Sequence, residues 1–258
     1  MLSARVLFLR IPLRASSTII RLHHNIMSAE IELKRVASQE IKPVKVKQSK
    51  KGKIRKYKSK PLDPTSSLGV LQFEIDEILK EQNLTRENIL TDVGGILNEA
   101  RDGPMHKLYH REVDNVEILR MSASGDGLAL IPNPAEHDKK QIALIPFGVP
   151  GDIVKIKTFK THPYYVECDL LQVYKPGDMR KDELIQCKYF GKCSGCQLQY
   201  LTYDDQLAFK KRTVVNAYKF FAPRLMQENV VPEVGDTVQS PLEVGYRTKL
   251  TPHFDLPK

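Results

Sequence analysis

The chain has 258 residues, 41% of them hydrophobic, which suffices for one large domain or two small ones with a buried core. Its formal net charge is +9, but residues 1–60 carry sixteen Lys and Arg against three acids, whereas the remaining residues carry 24 basic and 28 acidic side chains. The chain has no apolar run of about 18 residues, so no membrane span is predicted. Three of its four cysteines are clustered, which favours a reduced compartment and a metal site over a secreted disulfide framework.

The first 26 residues have the composition of a mitochondrial presequence. Four arginines lie among apolar residues and serines, and no acid is present. A secretory signal would need an unbroken apolar core, which the arginines interrupt. Met27 follows at once, so a second start there would yield a nuclear or cytosolic form; this dual location is a hypothesis.

A basic arm follows over residues 27–61. Residues 34–60 hold twelve basic residues, with Glu40 as the only acid. Such a segment cannot bury enough apolar surface to fold alone, so we predict that it is disordered. A solvated tail, a nuclear-import signal and an arm that binds RNA phosphates all stay open as interpretations.

Residues 62–110 are predicted to be a helical segment. In LGVLQFEIDEILKEQNL (68–84), apolar residues alternate with acids at helical spacing. The stretch ENILTDVGGILNEA (87–100) predicts a second helix, weakened by Gly94 and Gly95. Because residues 61–100 carry eight acids against Lys80 and Arg86, we expect this segment to pack and not to touch RNA.

From residue 113 the hydrophobic period changes to two, which predicts β-strands. Turns containing Gly, Pro, Asn and Asp separate the strands. Five short strands within residues 111–176 predict a small OB-like barrel, closed or nearly closed, and an α+β fold class overall. The predicted strands span residues 116–122, 127–131, 141–147, 152–159 and 164–174.

The alternation of apolar and polar residues along the strands distinguishes a buried and a solvated face of the predicted barrel. Lys155 and Lys157 lie on a solvated face of the fourth strand, opposite Val154 and Ile156. A lone thiol on an apolar face is usually a small buried hydrophobe, so Cys168 is predicted to be buried. The apolar face of the last strand is predicted to consist of Tyr164, Val166, Cys168 and Leu170.

The stretch CKYFGKCSGC (187–196), within a predicted loop over residues 177–203, contains three of the four cysteines. Cys187, Cys193 and Cys196 have the spacing C-x5-C-x2-C, which can place thiolates on one metal ion or cluster edge. Structural zinc and an iron–sulfur cluster both need four ligands, and only three are local. The residues alone leave these two centres open.

A basic helix is predicted over residues 204–222, after a capping box that begins at Thr202. Lys210, Lys211 and Arg212 make it the most basic element outside the arm. Its buried stripe is predicted to consist of Leu207, Val214, Tyr218 and Phe221. Residues 230–258 are predicted to begin a further domain.

The run from 187 to 211 resembles the iron–sulfur motif of the RNA uracil-5-methyltransferase family, and GYRTKLTPHF (245–254) resembles the YRxK strand that follows it there. The strands upstream resemble the TRAM domain of the same family. The resemblance implies a [4Fe–4S] cluster at Cys187, Cys193 and Cys196, with tRNA as the partner. In the family a fourth cysteine lies beyond the YRxK strand, so the cluster is one ligand short in this chain.

The chemistry that the resemblance implies needs groups that these residues do not show. Methylating C5 of uracil requires a thiolate that adds to C6, a base, and a domain for S-adenosylmethionine. No G-x-G-x-x-G and no βαβ repeat occurs, so we assign no catalytic and no cofactor-contacting residue. We expect the RNA-recognition half of a tRNA uracil-5-methyltransferase that acts on the T-loop uridine and is inactive alone.

Alternatives to this expectation are a stand-alone TRAM-type RNA-binding protein or tRNA chaperone, a fragment of an rRNA uracil-5-methyltransferase, and a zinc module without an RNA role. The sequence indicates no membrane partner, and no protein partner can be inferred from it. Tyr200 and Tyr203 are predicted to pack beside the cluster, although both could stack on bases. The residues predicted to contact RNA phosphates are Lys155, Lys157, Lys210, Lys211 and Arg212.

Overall fold

The structure, a computed structural model, describes residues 54, 56–58, 62–100, 102–192 and 195–246. The predicted presequence, most of the basic arm, Cys193 and the predicted YRxK strand beyond Tyr246 lie outside these residues. Among the described residues, no helix is long and apolar enough to cross a membrane.

Five strands form a closed barrel, as predicted: β1 (Glu112–Met121), β2 (Gly127–Pro132), β3 (Lys140–Ile145), β4 (Ile153–Thr161) and β5 (Tyr165–Lys175). Their order around the barrel, which was not predicted, is β1-β2-β3-β5-β4. Neighbouring strands are antiparallel except β3 and β5, which are parallel, with Ile142 opposite Tyr165. The turn between β3 and β4 contains Gly151 at a φ of +85°, a conformation that favours glycine.

The barrel interior is filled by inward-facing aliphatic side chains. Val154 and Ile156 are fully buried, whereas Lys157 is exposed and Lys155 is half-buried, so the predicted alternation of β4 is confirmed. Each fully buried aliphatic side chain stabilises the fold by about 1.5–3 kcal/mol. The core consists of Val116, Ile118, Ala129, Ile131, Ala143, Ile145, Val154, Ile156, Val166 and Cys168.

The predicted apolar face of β5 is correct for Val166, Cys168 and Leu170 but wrong for Tyr164. Tyr164 precedes the strand, which begins at Tyr165, and it packs in a different cluster outside the barrel. Cys168 is 2% exposed, which confirms its predicted burial. Burial raises the pKa of its thiol to about 12.

Helix α1 (Ser67–Glu81) covers one side of the barrel, as predicted for a packing element. The hydroxyl of Ser66 caps it by accepting a hydrogen bond from the amide of Gly69 at 3.1 Å. Arg120 of β1 pairs with Glu77 at 2.5 Å and also with Glu81. The buried side chains at this junction are Leu71, Ile75, Ile78 and Leu79 of the helix, with Leu128, Ile142 and Tyr165 of the barrel.

The second predicted helix, over residues 87–100, is wrong as a continuous element. The structure has a 3₁₀ turn (Arg86–Asn88), helix α2 (Gly94–Asn98) and helix α3 (Pro104–Tyr109). The carboxylate of Asp92 accepts a hydrogen bond from the amide of Gly94 at 2.8 Å, which turns the chain before α2. Pro104 then starts α3, because proline is favoured in the first helical turn.

Helix α4 (Tyr203–Phe221) begins as predicted, with the Thr202 hydroxyl accepting from the Asp205 amide at 3.2 Å. Its predicted buried stripe is wrong beyond Leu207. Val214, Tyr218 and Phe221 are 47%, 41% and 42% exposed. Helical periodicity marks an apolar face but does not say whether another element covers it.

The C-terminal end of α4 contacts α1 through aromatic side chains. The rings of Phe73 and Phe220 are stacked at 5.2 Å, and Phe221 meets Phe73 edge-on at 5.4 Å. Lys219 pairs with Glu77 of α1. Helix α5 (Pro223–Gln227) follows directly, starting at the proline that ends α4.

Candidate cluster loop and nucleic-acid interface

Residues 177–203, which we call the cluster loop, are joined to the barrel by a buried ion pair. Asp152, in the turn before β4, is fully buried and accepts hydrogen bonds from the amides of Val149 and Gly177 at 2.9 and 2.8 Å. The Arg180 guanidinium donates to the same carboxylate at 2.7–3.1 Å. The carboxylate therefore holds the start of the loop against the barrel.

The same arginine also contacts the end of the cluster loop. Its guanidinium lies 4.8 Å from the centre of the Tyr200 ring, a cation–π arrangement. The amide of Lys181 donates to the Tyr200 carbonyl at 2.7 Å. Tyr200 is fully buried, so its predicted role in packing is confirmed. Burial raises the pKa of its hydroxyl well above the usual value.

The segment around the first cysteine is shaped by two successive turns. The amide of Phe190 donates to the Cys187 carbonyl at 3.0 Å, and the amide of Lys192 donates to the Tyr189 carbonyl at 3.0 Å. The Phe190 ring packs edge-on against Phe147 at 5.2 Å and Tyr200 at 5.8 Å. Phe190 is thus the apolar anchor of this part of the loop.

Cys187 and Cys196 are free, exposed cysteines that line one cavity of about 750 Å³. The amide of Cys187 donates to the side chain of Gln199 at 3.3 Å, which ties the two ends of the cavity wall together. No three His, Cys, Asp or Glu side chains are grouped to hold a metal among the described residues, which do not include Cys193. Cys168 lies in the barrel core, away from this cavity.

The segment 230–246 runs back along α4 towards the same cavity. Asp236 pairs with Lys211 at 2.9 Å, Thr237 donates to the Leu207 carbonyl at 3.0 Å, and the Ser240 amide donates to the Tyr203 hydroxyl at 2.7 Å. Glu243 to Tyr246 then line the cavity beside the cysteines. Tyr203 is half-buried and lines the same cavity, so its role in packing stays a prediction.

Of the predicted RNA-contacting residues on the barrel, Lys155 is already paired. Its ammonium lies 2.8 Å from Glu112 and 3.8 Å from Asp114. The hydrogen bond to Glu112 raises the pKa of Lys155. Lys157 is exposed on the same face. The charge of this face is balanced by neighbouring carboxylates, which weakens its attraction for phosphate.

The three predicted RNA-contacting residues on α4 differ in how free their charged groups are to contact phosphate. Lys210 is exposed, and the partner of Lys211, Asp236, is itself 96% exposed, so that pair is solvated. The guanidinium of Arg212 lies 5.5 Å from the centre of the Phe209 ring. Partial burial, and then the nearby Arg120, lower the pKa of Arg212. The structure thus places the five predicted residues on two elements, β4 and α4.

Sequence reasoning missed three features. The Asp152–Arg180 pair joins residues 28 positions apart, so no local pattern reveals it. Glu74 is buried on α1 and accepts from the Ala123 amide at 2.7 Å; burial raises its pKa to about 7. Tyr189 is 56% exposed, with the Lys188 ammonium 4.9 Å from its ring centre. The exposure of Tyr189 could have been suspected from the sequence KYFGK (188–192), in which an aromatic residue lies between two lysines.

Comparisons with known proteins match the barrel to a known domain, and similarity to two fungal enzymes extends beyond the barrel. Residues 107–171 match the TRAM domain. Over 214 residues the chain is 59% identical to the tRNA (uracil(54)-C(5))-methyltransferase of Saccharomyces cerevisiae, covering 82% of this chain and 34% of that protein. The enzyme of the same name from Schizosaccharomyces pombe is 39% identical over 199 residues, or 77% of this chain and 33% of that protein.

A bacterial relative is more distant. The 23S rRNA (uracil(1939)-C(5))-methyltransferase of Francisella tularensis subsp. novicida is 26% identical over 144 residues, 56% of this chain and 29% of that protein. The chain spans about a third of the length of the curated relatives it matches.

Proposed function

Because this chain belongs to the fungal tRNA (uracil-5-)-methyltransferase family, we propose that it is the RNA-recognition part of an S-adenosylmethionine-dependent enzyme. The proposed reaction methylates C5 of the T-loop uridine of tRNA; the names of the two fungal relatives specify C5 of uracil 54 in tRNA. The observation that carries the proposal is the 59% identity over 82% of the chain. The closed barrel, which matches the TRAM domain, supports it.

The described side chains fit a role in binding RNA better than a role in methyl transfer. The reaction needs an accessible thiolate to add to C6 of uracil, so that C5 can attack the methyl group, and then a base to remove the C5 proton. Cys168 cannot serve, because it is buried and its thiol keeps a pKa of about 12. The other cysteines belong to the cluster loop. We therefore propose no catalytic and no cofactor-binding role for the described side chains.

We also propose that the cluster loop binds a [4Fe–4S] centre through Cys187, Cys193 and Cys196, with a fourth ligand from outside this chain. Two free thiols on one cavity fit soft-metal ligands. Residues 243–246, which lead to the predicted YRxK strand, line the same cavity. The cluster would tie the loop to the segment that follows α4, which is a structural role.

RNA is expected to contact the cluster loop and α4 more than the barrel. Residues 177–221 carry eight basic side chains against five acids, whereas barrel residues 112–175 carry seven against nine. The phosphate backbone dominates affinity for RNA, so the more positive region contributes more. Lys210, Lys211 and Arg212 lie in that region, and the paired Lys155 lies in the other.

A competition assay tests the partner. The purified chain is titrated into labelled tRNA, with an unlabelled tRNA T-arm hairpin or a hairpin of 23S rRNA as competitor. We expect the T-arm hairpin to compete better than the 23S rRNA hairpin. Stronger competition by the rRNA hairpin would favour an rRNA uracil-5-methyltransferase, and no tRNA binding would refute the proposal.

Localisation follows as a separate proposal from residues 1–26. We propose that Met1 starts a mitochondrial form and Met27 starts a nuclear or cytosolic form. Fluorescent fusions of the chain starting at each methionine test this. A fusion from Met1 that stays outside mitochondria would contradict it.

A further inference from the structure

We propose that Tyr189 is a stacking platform for one unpaired base of the bound RNA, with Lys188 and Lys192 placed for the neighbouring phosphates. The inference rests on the proposed function for the identity of the partner. It concerns a part of the cluster loop that is separate from the predicted phosphate contacts on α4.

The backbone holds Tyr189 in a defined position. Two turns overlap at this residue, one closed by the Phe190 amide on the Cys187 carbonyl and the other by the Lys192 amide on the Tyr189 carbonyl, each at 3.0 Å. The next side chain, Phe190, is anchored against Phe147 and Tyr200. An anchored neighbour in a double turn limits the freedom of the tyrosine, so less entropy is lost when a base stacks on it.

Tyr189 is exposed where a structural tyrosine would be covered. It is 56% exposed, whereas Tyr200 in the same loop is fully buried. Aromatic rings exposed in a basic groove are the usual surfaces on which unpaired bases stack, and such stacking tolerates any base. The side chain thus fits an RNA strand whose sequence is read elsewhere.

The charges around the ring suit RNA. The Lys188 ammonium lies 4.9 Å from the ring centre, over one face, which leaves the opposite face as the one for a base. Lys192 follows in the second turn and is exposed. On the barrel, by contrast, the hydroxyl of the exposed Tyr174 bonds to Asp114. A carboxylate beside the ring repels phosphate, so Tyr174 makes a matched control.

The chain contains no tryptophan, which gives a direct test. Tyr189→Trp introduces a single fluorescent indole at the proposed platform, and Tyr174→Trp introduces one at the control site. Addition of tRNA should quench the indole of Tyr189→Trp, because a stacked base quenches it, and leave that of Tyr174→Trp nearly unchanged. Equal responses at the two sites would overturn the proposal.

Affinity provides a second readout. Tyr189→Ala should weaken binding to tRNA about 5- to 150-fold, whereas Tyr189→Phe should bind like the parent. The double variant Lys188→Gln/Lys192→Gln should reduce the slope of log K against log salt by about 1 to 2. Tyr189 is exposed, so its variants should keep the circular dichroism spectrum and iron content of the parent.

The results distinguish failure of the proposed function from failure of the proposed stacking platform. A parent chain that does not bind tRNA refutes the proposed function and the platform together. A parent that binds tRNA, with Tyr189→Ala equally tight and Tyr189→Trp unquenched, refutes the platform alone.

Discussion

The buried ion pair between Asp152 and Arg180 is expected to hold the cluster loop on the barrel, and Arg180→Met tests it. The Asp152 side chain is fully buried and the Arg180 side chain is 5% exposed. Methionine keeps much of the side-chain volume but removes the charge. The Asp152 carboxylate would then retain only the amides of Val149 and Gly177 as partners.

The cost follows from this geometry. Removing one partner of a buried pair leaves an uncompensated charge and typically costs about 3–5 kcal/mol. The variant also loses the cation–π contact to Tyr200. For a folded unit of this size, such a loss corresponds to a fall in Tm of roughly 6–20 °C.

Urea denaturation followed by circular dichroism measures the effect, with Arg86→Met as control. Arg86 pairs with Asp76 at a similar 2.7 Å, but both side chains are 46% exposed. Its loss should cost at most about 1 kcal/mol, because exposed pairs contribute little. The double variant Asp152→Asn/Arg180→Met should be less destabilised than Arg180→Met alone, because no charge is left buried. A loss below about 1 kcal/mol for Arg180→Met would show that the buried pair does not hold the loop on the barrel.

Three further predictions concern other groups. Burial raises the pKa of Glu74 in the folded state to about 7, so the folded parent chain binds more protons than the unfolded chain and loses stability as pH rises from about 4.5 to about 7. Glu74→Gln cannot ionise, so its stability relative to the parent should increase over this pH range. Urea denaturation across this range tests it, and a constant difference would contradict it. Cys187→Ser and Cys196→Ser should each lower the iron and sulfide content of anaerobically purified protein, whereas Cys168→Ala should not; zinc in place of iron would contradict the cluster. Reversing the charge of Lys210, Lys211 and Arg212 should weaken tRNA binding and reduce the slope of log K against log salt by about 2 to 3. Lys155→Glu should have a smaller effect, because Glu112 and Asp114 already neutralise Lys155. Filter binding at several salt concentrations compares the two sets.

The barrel could be predicted because its information is local. Alternation of period two and the turns between strands gave five strands within a few residues of the observed ones. Helix α1 was predictable for the same reason, since its apolar stripe and its cap are contiguous in sequence. The thiol of Cys168 was correctly placed by its neighbours on β5.

Other features depend on partners that the local pattern does not contain. The apolar stripe of α4 was visible, but its exposure depends on which elements pack over it. The predicted continuous helix over residues 87–100 is wrong because the Asp92 carboxylate turns the chain before α2. The Asp152–Arg180 pair and the exposure of Tyr189 arise only when the barrel and the cluster loop meet in space.

The most direct test of the central proposal is a chimera. The 214 residues that match the Saccharomyces cerevisiae enzyme would replace the corresponding part of that protein, in cells that lack the native enzyme. Mass spectrometry of purified tRNA then measures 5-methyluridine at position 54. We predict that the chimera restores the modification, and that it does so less well with Tyr189→Ala. A stable, well-expressed chimera that leaves this uridine unmodified would contradict the assignment of this chain to tRNA recognition.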